Sequence, residues 1–413
     1  MASGDTPLMR RAGERELSRR DVLRALAFGS IATGLAACGS SSTITPGGTL
    51  EASASAAPTG SPIVTVAPST APTPVPPVVA RLTLREKIGQ LLVVGFGGVQ
   101  ASKSSAVGRA IAAGELGGVI LFDRNIVSAA QLADLTGGLA ALAPDASPLF
   151  VTVDQEGGSV SRLGPSHGFK RVPSQAVVGT HDVSFATSVY GAMALVLSEA
   201  GINLNLTPVV DINVNPKNPS IGALGRSFSA DPAVVTTMAR AAVRAHHGHG
   251  VLTTLKHFPG LGSATINTDL SAVDVTRGWT EQELVPYREL VTNDADCVMV
   301  GHMINRTLDA KNPASLSKAT VRDLLRGELG WQGPVITDDL QAGAIARHYQ
   351  QSDAIAGALN AGVDLLLFTT ATSDPGFYRN LVSTVAKLVT SGRVAEARID
   401  EAVARVEVLR GPR

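Results

Sequence analysis

The sequence predicts an α/β protein with a (β/α)8 barrel of the TIM type, as a single domain over residues 81–413. Short apolar runs typical of strands alternate with segments of helical pattern. This alternation indicates parallel pairing, because parallel neighbours need a crossover connection. Eight such runs fall within roughly 330 residues, a length that fits an ordinary barrel with insertions.

The predicted elements follow in order along the chain. Thr83-Leu84-Arg85-Glu86 has the pattern of a capping box and predicts a short helix before the first strand. The predicted strands are Leu91–Phe96, Gly118–Phe122, Leu149–Val153, Asn203–Val210, Leu252–Lys256, Cys297–Gly301, Val335–Thr337 and Leu365–Phe368. Helical patterns between them include Ala233–His246, Glu281–Thr292, Lys318–Leu329 and Asp353–Asn360.

A doubly wound open sheet is the alternative fold. It is disfavoured because no Gly-x-Gly-x-x-Gly turn follows the first strand and no Walker loop occurs in the sequence.

The composition excludes several classes of protein. The chain has 413 residues with 35 basic and 35 acidic side chains, a balance that argues against a nucleic-acid partner. Its two cysteines cannot form a disulfide scaffold or a cysteine-rich zinc site. No apolar run reaches the roughly 20 residues that span a bilayer as a helix. A globular enzyme or binding protein remains, in which Cys297 is expected to be a buried thiol.

Residues 1–37 are predicted to be an export signal. The pair Arg19-Arg20 precedes a short apolar stretch and resembles a twin-arginine signal. Leu35-Ala36-Ala37-Cys38 resembles the lipobox of bacterial lipoproteins. Cys38 is therefore expected to be lipidated and to hold an exported protein on the outer side of the cell membrane. The alternative is a plain signal peptide with an incidental cysteine.

Residues 38–80 are predicted to be a tether. The segment is rich in Ser, Thr, Ala, Gly and Pro, and Glu51 is its only charged side chain. Such a composition buries too little apolar surface to offset chain entropy, so it favours a disordered spacer between membrane and domain.

Polar and charged residues cluster where the predicted strands end. The carboxyl ends of barrel strands meet at one face, so these residues should converge on one pocket. Following strands three to seven, they are Asp154 and Glu156, Asp211 with Arg226 in its loop, Lys256 and His257, His302, and Asp338 with Asp339.

Helix capping or a loop ion pair could explain any one of these residues. As a group they indicate a site, because buried charges cost free energy unless they are paired or used. The set suits a polyhydroxylated substrate. Asp154 could accept hydrogen bonds from sugar hydroxyls, and the candidate donors are Arg162, Arg226, Lys256 and His257.

Five motifs occur in register: residues 83–96, Val-Asp-Gln-Glu-Gly-Gly at 153–158, Lys-His-Phe-Pro-Gly at 256–260, Pro-Ala-Ser-Leu-Ser at 313–317 and Val-Ile-Thr-Asp-Asp-Leu at 335–340. Together they resemble glycoside hydrolase family 3, from about Leu82 to the C-terminus. Within that family the sequence is most similar to the single-domain β-N-acetylglucosaminidases that act on cell-wall fragments.

The resemblance implies a retaining mechanism. Asp338, the first acid of the motif after strand seven, would be the nucleophile and form a covalent glycosyl-enzyme intermediate. The nucleophile and the acid/base would lie about 5 Å apart. The resemblance implies no metal ion or organic cofactor, and it implies that the sugar is bound by Asp154, Arg162, Arg226, Lys256 and His257.

The sequence departs from the family at the acid/base. The subgroup follows Lys-His-Phe-Pro-Gly with His-Gly, and then with Asp-Ser-His on the same flexible loop, where the aspartate orients the catalytic histidine. Here these positions hold Leu261-Gly262 and Asn267-Thr268-Asp269. Asp269 thus replaces the histidine, and Asn267 replaces the orienting aspartate.

Three outcomes are open. Asp269 could protonate the leaving group, which requires its pKa to rise from near 4 toward 6 or 7 by desolvation. The enzyme could have changed its substrate, or work slowly on activated leaving groups. The chemistry could also be lost, so that the pocket only binds glycans, but a pocket without chemistry has no need of Asp338.

The expected function is removal of terminal β-linked N-acetylglucosamine from peptidoglycan fragments, by a monomer that meets the membrane only through its lipid anchor. One alternative is another β-glycosidase, such as a β-glucosidase. Typical family 3 β-glucosidases carry a glutamate acid/base on a second domain, for which this chain has no room. The other alternative is a non-catalytic surface protein that binds cell-wall sugars.

Overall fold

The structure, a computed structural model, describes residues 79–144, 147–370, 374 and 376–411. The predicted export signal, Cys38 and the predicted tether up to residue 78 lie outside the described residues. Val79–Arg81 forms a 3-10 turn, and Val79 is buried in the core. Within the described residues, no helix has the length and apolar character needed to cross a membrane.

The described strands in chain order are β1 (Leu92–Gly95), β2 (Gly118–Leu121), β3 (Phe150–Val153), β4 (Gln155–Gly157), β5 (Val160–Ser161), β6 (Leu204–Asn205), β7 (Leu252–Phe258), β8 (Cys297–Val300), β9 (Val335–Thr337) and β10 (Leu366–Phe368). Eight of them pair in parallel in the order β10-β1-β2-β3-β6-β7-β8-β9. The ring closes where Leu365 N donates to Val335 O at 2.9 Å and Thr337 N donates to Leu365 O at 3.0 Å. The barrel prediction is confirmed.

The helices form the outer layer. They are α1 (Leu84–Gln90), α2 (Ala106–Ala112), α3 (Ala129–Ala140), α4 (Gln175–Val178), α5 (Val183–Glu199), α6 (Pro232–His247), α7 (Val285–Leu290), α8 (Gly343–Ala346), α9 (Gln351–Ala361), α10 (Phe377–Thr390) and α11 (Glu396–Arg410). Several begin at a side-chain cap, which satisfies amide groups that lack a helical partner. The predicted capping box at Thr83 and Glu86 is present, and Asp231 caps α6 ahead of Pro232.

The core lies between the strands and the helices, and also fills the barrel. The strand residues Val93, Val119 and Val298 are fully buried, as parallel strands covered on both faces require. Cys297 is a free, buried thiol, as predicted.

Two strand predictions need correction. The fourth strand is much shorter than Asn203–Val210, since β6 covers Leu204–Asn205 only. Pro208 has no N–H to donate, so the ladder is interrupted there and resumes as a single bridge between Val209 and Lys256. The β4–β5 hairpin was not predicted because it contains no apolar run. The side chain of Gln155 holds it by accepting from Leu163 N at 2.9 Å.

Two helix predictions are right in place but differ in type. The segment predicted as one helix over Glu281–Thr292 is a 3-10 turn, Glu281–Leu284, followed by α7. Pro286 fits only the first turn of an α-helix, which places the start of α7 there. The segment 318–329 forms a π-helix at Ala319–Glu328.

Candidate active site

A cavity of about 430 Å³ opens at the carboxyl ends of the barrel strands. The structure brings together there all seven residues that the sequence predicted for chemistry or sugar binding. The lining includes Asp154, Arg162, Arg226, Lys256, His257, Asp269 and Asp338. The strands place them, because β3, β7 and β9 end at this face. Arg162 follows the β4–β5 hairpin, and the loops after β6 and β7 carry Arg226 and Asp269.

Lys256 is the buried centre of a charge network. Its side chain is 2% exposed, and its Nζ lies 2.7 Å from Asp154 Oδ1 and 2.7 Å from Glu156 Oε1. Arg226 donates two hydrogen bonds, each of 2.8 Å, to the carboxylate of the same Glu156. Burial alone would raise the pKa of Glu156, but the charges of Arg226 and Lys256 hold it well below its usual value. The two cations are therefore fixed in place by carboxylates of the protein itself.

Arg162 lies at the side of the cavity next to Asp154. Its Nη2 is 3.8 Å from Asp154 Oδ2, which is an ion pair too long for a hydrogen bond. The guanidinium also lies 5.2 Å from the ring centroid of Phe122. Its hydrogen-bonding capacity toward a ligand is thus not consumed by Asp154.

His257 is oriented by a carboxylate that the sequence analysis did not assign to the site. Its Nδ1 donates to Asp211 Oδ2 at 2.7 Å. The other oxygen of Asp211 accepts from Leu261 N at 2.7 Å. With Nδ1 engaged, the other ring nitrogen, Nε2, lies 3.5 Å from Arg226 Nη2, and His257 lines the cavity.

Asp338 follows β9 directly and is half-buried. Its N–H donates to Val300 O at 2.9 Å, and its Oδ1 accepts from Asp339 N at 2.8 Å. Burial would raise the pKa of Asp338, but His302, His257, the Asp339 amide and Lys256 together lower it below the usual value. Asp338 is therefore an ionised carboxylate at neutral pH, which is the state that a nucleophile needs.

Asp269 has the opposite electrostatic environment. Burial raises the pKa of its carboxyl, and the negative charge of Asp338 raises it further. Arg226, Asn267 and His257 act in the other direction without cancelling the rise. Asp269 is nevertheless an exposed residue, which limits the rise. Two carboxyls whose pKa values are driven apart are the pattern of a nucleophile with a general acid.

The predicted replacements at 267 and 269 form one local structure. Asn267 Oδ1 accepts from Asp269 N at 2.9 Å, and Asn267 O accepts from Leu270 N at 3.1 Å. Asn267 therefore orients the Asp269 backbone through an Asx turn.

Four further residues were predicted at strand ends without a role in chemistry or sugar binding: Glu156, Asp211, His302 and Asp339. A signal for Glu156 was available, because residues two apart in an extended strand share a face and Asp154 already pointed there. The partners of Asp211 lie 46 and 50 residues along the chain, so no local pattern indicates them. No group of three or more His, Cys, Asp or Glu among residues 79–144, 147–370, 374 and 376–411 is placed to hold a metal ion.

Comparison with known proteins identifies a family that includes most of this chain. The family model described as "Glycosyl hydrolase family 3 N terminal domain" matches residues 83–409. Beta-hexosaminidase LpqI of Mycobacterium tuberculosis is 33% identical over 344 residues, which cover 81% of this chain and 84% of that protein.

Two further similar proteins are longer than this chain. Beta-hexosaminidase A of Pseudoalteromonas piscicida is 32% identical over 320 residues, which cover 72% of this chain and 53% of that protein. A solved β-N-acetylglucosaminidase of glycoside hydrolase family 3 from Paenibacillus sp. str. FPU-7 is 35% identical with a TM-score of 0.74, covering 80% of this chain and 62% of that one. This chain spans about half of the first and three fifths of the second.

Proposed function

Because the chain belongs to glycosyl hydrolase family 3, we propose that it removes terminal β-linked N-acetylglucosamine with retention of configuration, and that cell-wall fragments are its substrate. It is a glycoside hydrolase, and its substrate is a carbohydrate. The relatives named β-hexosaminidase support the sugar specificity. The two carboxyls at the cavity support the mechanism.

In the first step, a carboxylate oxygen of Asp338 attacks the anomeric carbon. The bond from that carbon to the glycosidic oxygen breaks, and Asp269 transfers its proton to the departing oxygen. An ester between Asp338 and the sugar results, and Asp269 is left as a carboxylate. The raised pKa of Asp269 favours the protonated acid, and the lowered pKa of Asp338 favours the carboxylate, as this step requires.

In the second step, water replaces the aglycone. The Asp269 carboxylate takes a proton from the water while the water oxygen attacks the anomeric carbon. The ester bond to Asp338 breaks, and both side chains return to their starting states.

The charge network holds the sugar. Asp154 accepts hydrogen bonds from hydroxyls, while Lys256, Arg162 and His257 line the same cavity and offer donors or a ring nitrogen. Arg226 lines the cavity but is already bound to Glu156 and to Ser220 O at 2.8 Å. We therefore assign Arg226 mainly to holding Glu156 and His257 in place.

The single observation that carries this proposal is the shared cavity of Asp338 and Asp269, with their pKa values moved in opposite directions. The test uses wild type, Asp338→Asn and Asp269→Ala on aryl β-N-acetylglucosaminides and the matching β-glucosides. Asp338→Asn should abolish turnover of all substrates. Asp269→Ala should lower kcat/KM on a poor leaving group by about 10²–10⁴-fold, and azide should restore turnover of an activated aryl substrate as the β-glycosyl azide.

Asp323→Ala is the matched control, because it removes an exposed carboxylate from the outer π-helix. Full activity of Asp269→Ala on a poor leaving group would reject Asp269 as the acid/base. Faster hydrolysis of the β-glucoside would reject the sugar specificity. Binding of N-acetylglucosamine in calorimetry without any turnover would make the protein a glycan receptor.

We further propose that the enzyme is exported and anchored through a lipid on Cys38. The support is the sequence pattern of residues 19–38, which lie outside the described residues. Labelling with an alkyne fatty acid should mark the wild-type protein and leave Cys38→Ala unmarked. We also propose that the enzyme is a monomer, which sedimentation should show.

A further inference from the structure

The flap, defined as residues 261–272, is bonded to the loop that carries the nucleophile. Asp269 O accepts from Gly343 N at 2.8 Å, and Thr268 O accepts from Ala344 N at 3.1 Å. Both donors lie at the start of α8, five and six residues after Asp338. The backbone of the proposed acid residue is thus joined directly to the segment that follows Asp338.

This contact requires a glycine at 343. A Cβ added there would lie 2.4 Å from Leu270 O, 2.6 Å from Leu270 C and 2.9 Å from Asp269 O. All three are backbone atoms of the flap, so no side-chain rotation can relieve the overlap. Gly343 is not among the glycines with positive φ. An alanine would therefore suit the local backbone, and its conflict is with the flap.

The flap segment that docks is a defined turn. Asn267 O accepts from Leu270 N at 3.1 Å and from Ser271 N at 3.2 Å. Asn267 Oδ1 holds Asp269 N. Because these bonds tie residues 267–271 together, a displacement at Gly343 moves the Asp269 carboxyl with the turn.

We propose that Gly343 is a positioning residue that seats the flap, so that the Asp269 carboxyl faces Asp338 across the cavity. This inference rests on the proposed role of Asp269. In place of a histidine oriented by an aspartate side chain, this chain orients its acid through backbone docking. Gly343 itself touches neither substrate nor the reacting atoms.

The experiment compares Gly343→Ala with wild type on two aryl β-N-acetylglucosaminides, one with a poor and one with an activated leaving group. A displaced acid should lower kcat/KM on the poor leaving group by about 100-fold, because general acid catalysis contributes that order of rate. The activated substrate needs little protonation, so its kcat/KM should change little. A role limited to fold stability would lower both values alike.

Gly137→Ala is the matched control. Gly137 lies in α3, and a Cβ added there meets nothing within 4 Å. This variant should keep wild-type kcat/KM on both substrates. Hydrogen exchange should show faster exchange at the amides of 343 and 344 in Gly343→Ala, and wild-type exchange there in Gly137→Ala.

Asn267→Ala provides a second route if Gly343→Ala fails to fold. It loosens the same turn without adding a Cβ at the docking point, and it should show the same selective loss on the poor leaving group. Equal losses of kcat/KM on both substrates in these variants, or no loss, would overturn the inference. This holds even if Asp269→Ala shows the selective loss expected of a missing general acid. If wild type turns over neither substrate, the proposed function fails, and the inference fails with it.

Discussion

Glu283 is a buried carboxyl beneath the start of the flap, and it should make the stability of the protein fall as pH rises. The side chain has no exposed surface, and its Oε2 accepts from Gly262 N at 2.8 Å. Burial raises its pKa from 4.5 to about 8, with a further contribution from the charge of Asp211. Between these pH values the folded protein binds a proton that the unfolded chain has released. Stability is therefore fully present below about pH 4.5 and is lost progressively up to about pH 8.

The size of the effect follows from the pKa. One pH unit corresponds to about 1.4 kcal/mol, so the full range corresponds to roughly 5 kcal/mol as an upper limit. Glu283→Gln keeps the shape and an acceptor for Gly262 N but cannot ionise. The variant should match wild type near pH 5 and exceed it by roughly 3 kcal/mol or more at pH 8.

Urea unfolding at pH 5, 6, 7 and 8 measures this difference as a change in midpoint at constant slope. Glu281→Gln is the matched control, since Glu281 is an exposed residue of the same 3-10 turn. Its curves should run parallel to those of wild type at every pH. A stability difference between Glu283→Gln and wild type that stays constant from pH 5 to pH 8 would refute the reasoning.

Three further predictions follow from the charges. Asp338→Asn should lower the pKa of Asp269, because it removes the negative charge that helps to raise that pKa. Carbon NMR of labelled aspartate measures the pKa of Asp269, and an unchanged value would contradict the electrostatic coupling of the two carboxyls. Glu156→Gln should destabilise the fold by about 3 kcal/mol and raise KM, because Lys256 loses one of its two carboxylate partners. Asp364→Asn should destabilise by a similar amount, because Arg326 and Arg398, at 2.7 and 2.6 Å from its carboxylate, lose this buried charge partner. Asp364 precedes β10 at the far end of the barrel, so KM should stay at the wild-type value, and a raised KM would contradict that separation.

The barrel and the location of its site could be predicted because both depend on local patterns. Strands buried on both faces appear as apolar runs, and polar residues that follow such runs must gather at one face. The same reasoning missed elements that are held by a specific side-chain contact and not by an apolar run. The β4–β5 hairpin depends on Gln155 reaching Leu163, and no apolar run marks it.

The supporting residues of the site show the same limit. Asp211 directly follows the predicted fourth strand, and nothing near it indicates that it orients His257. The docking of Thr268 and Asp269 on α8 spans more than seventy residues of chain. A contact of this kind appears only once the loops are placed side by side, because backbone amides carry no residue-type signal.

A carboxyl in place of an imidazole at position 269 also affects how one residue could act as the acid of the first proposed step and as the base of the second. The charge of Asp338 helps to raise the pKa of Asp269 while the nucleophile is free, which favours the protonated acid needed in the first step. Once Asp338 becomes an ester, that charge is gone, and the pKa of Asp269 falls toward the value set by burial and by Arg226 and His257. The lowered pKa favours the carboxylate needed to activate water. In the mechanism that we propose, esterification of the nucleophile would therefore switch Asp269 from acid to base. The exchange would require Asp269 to face Asp338, which is the position that we propose the docking at Gly343 holds.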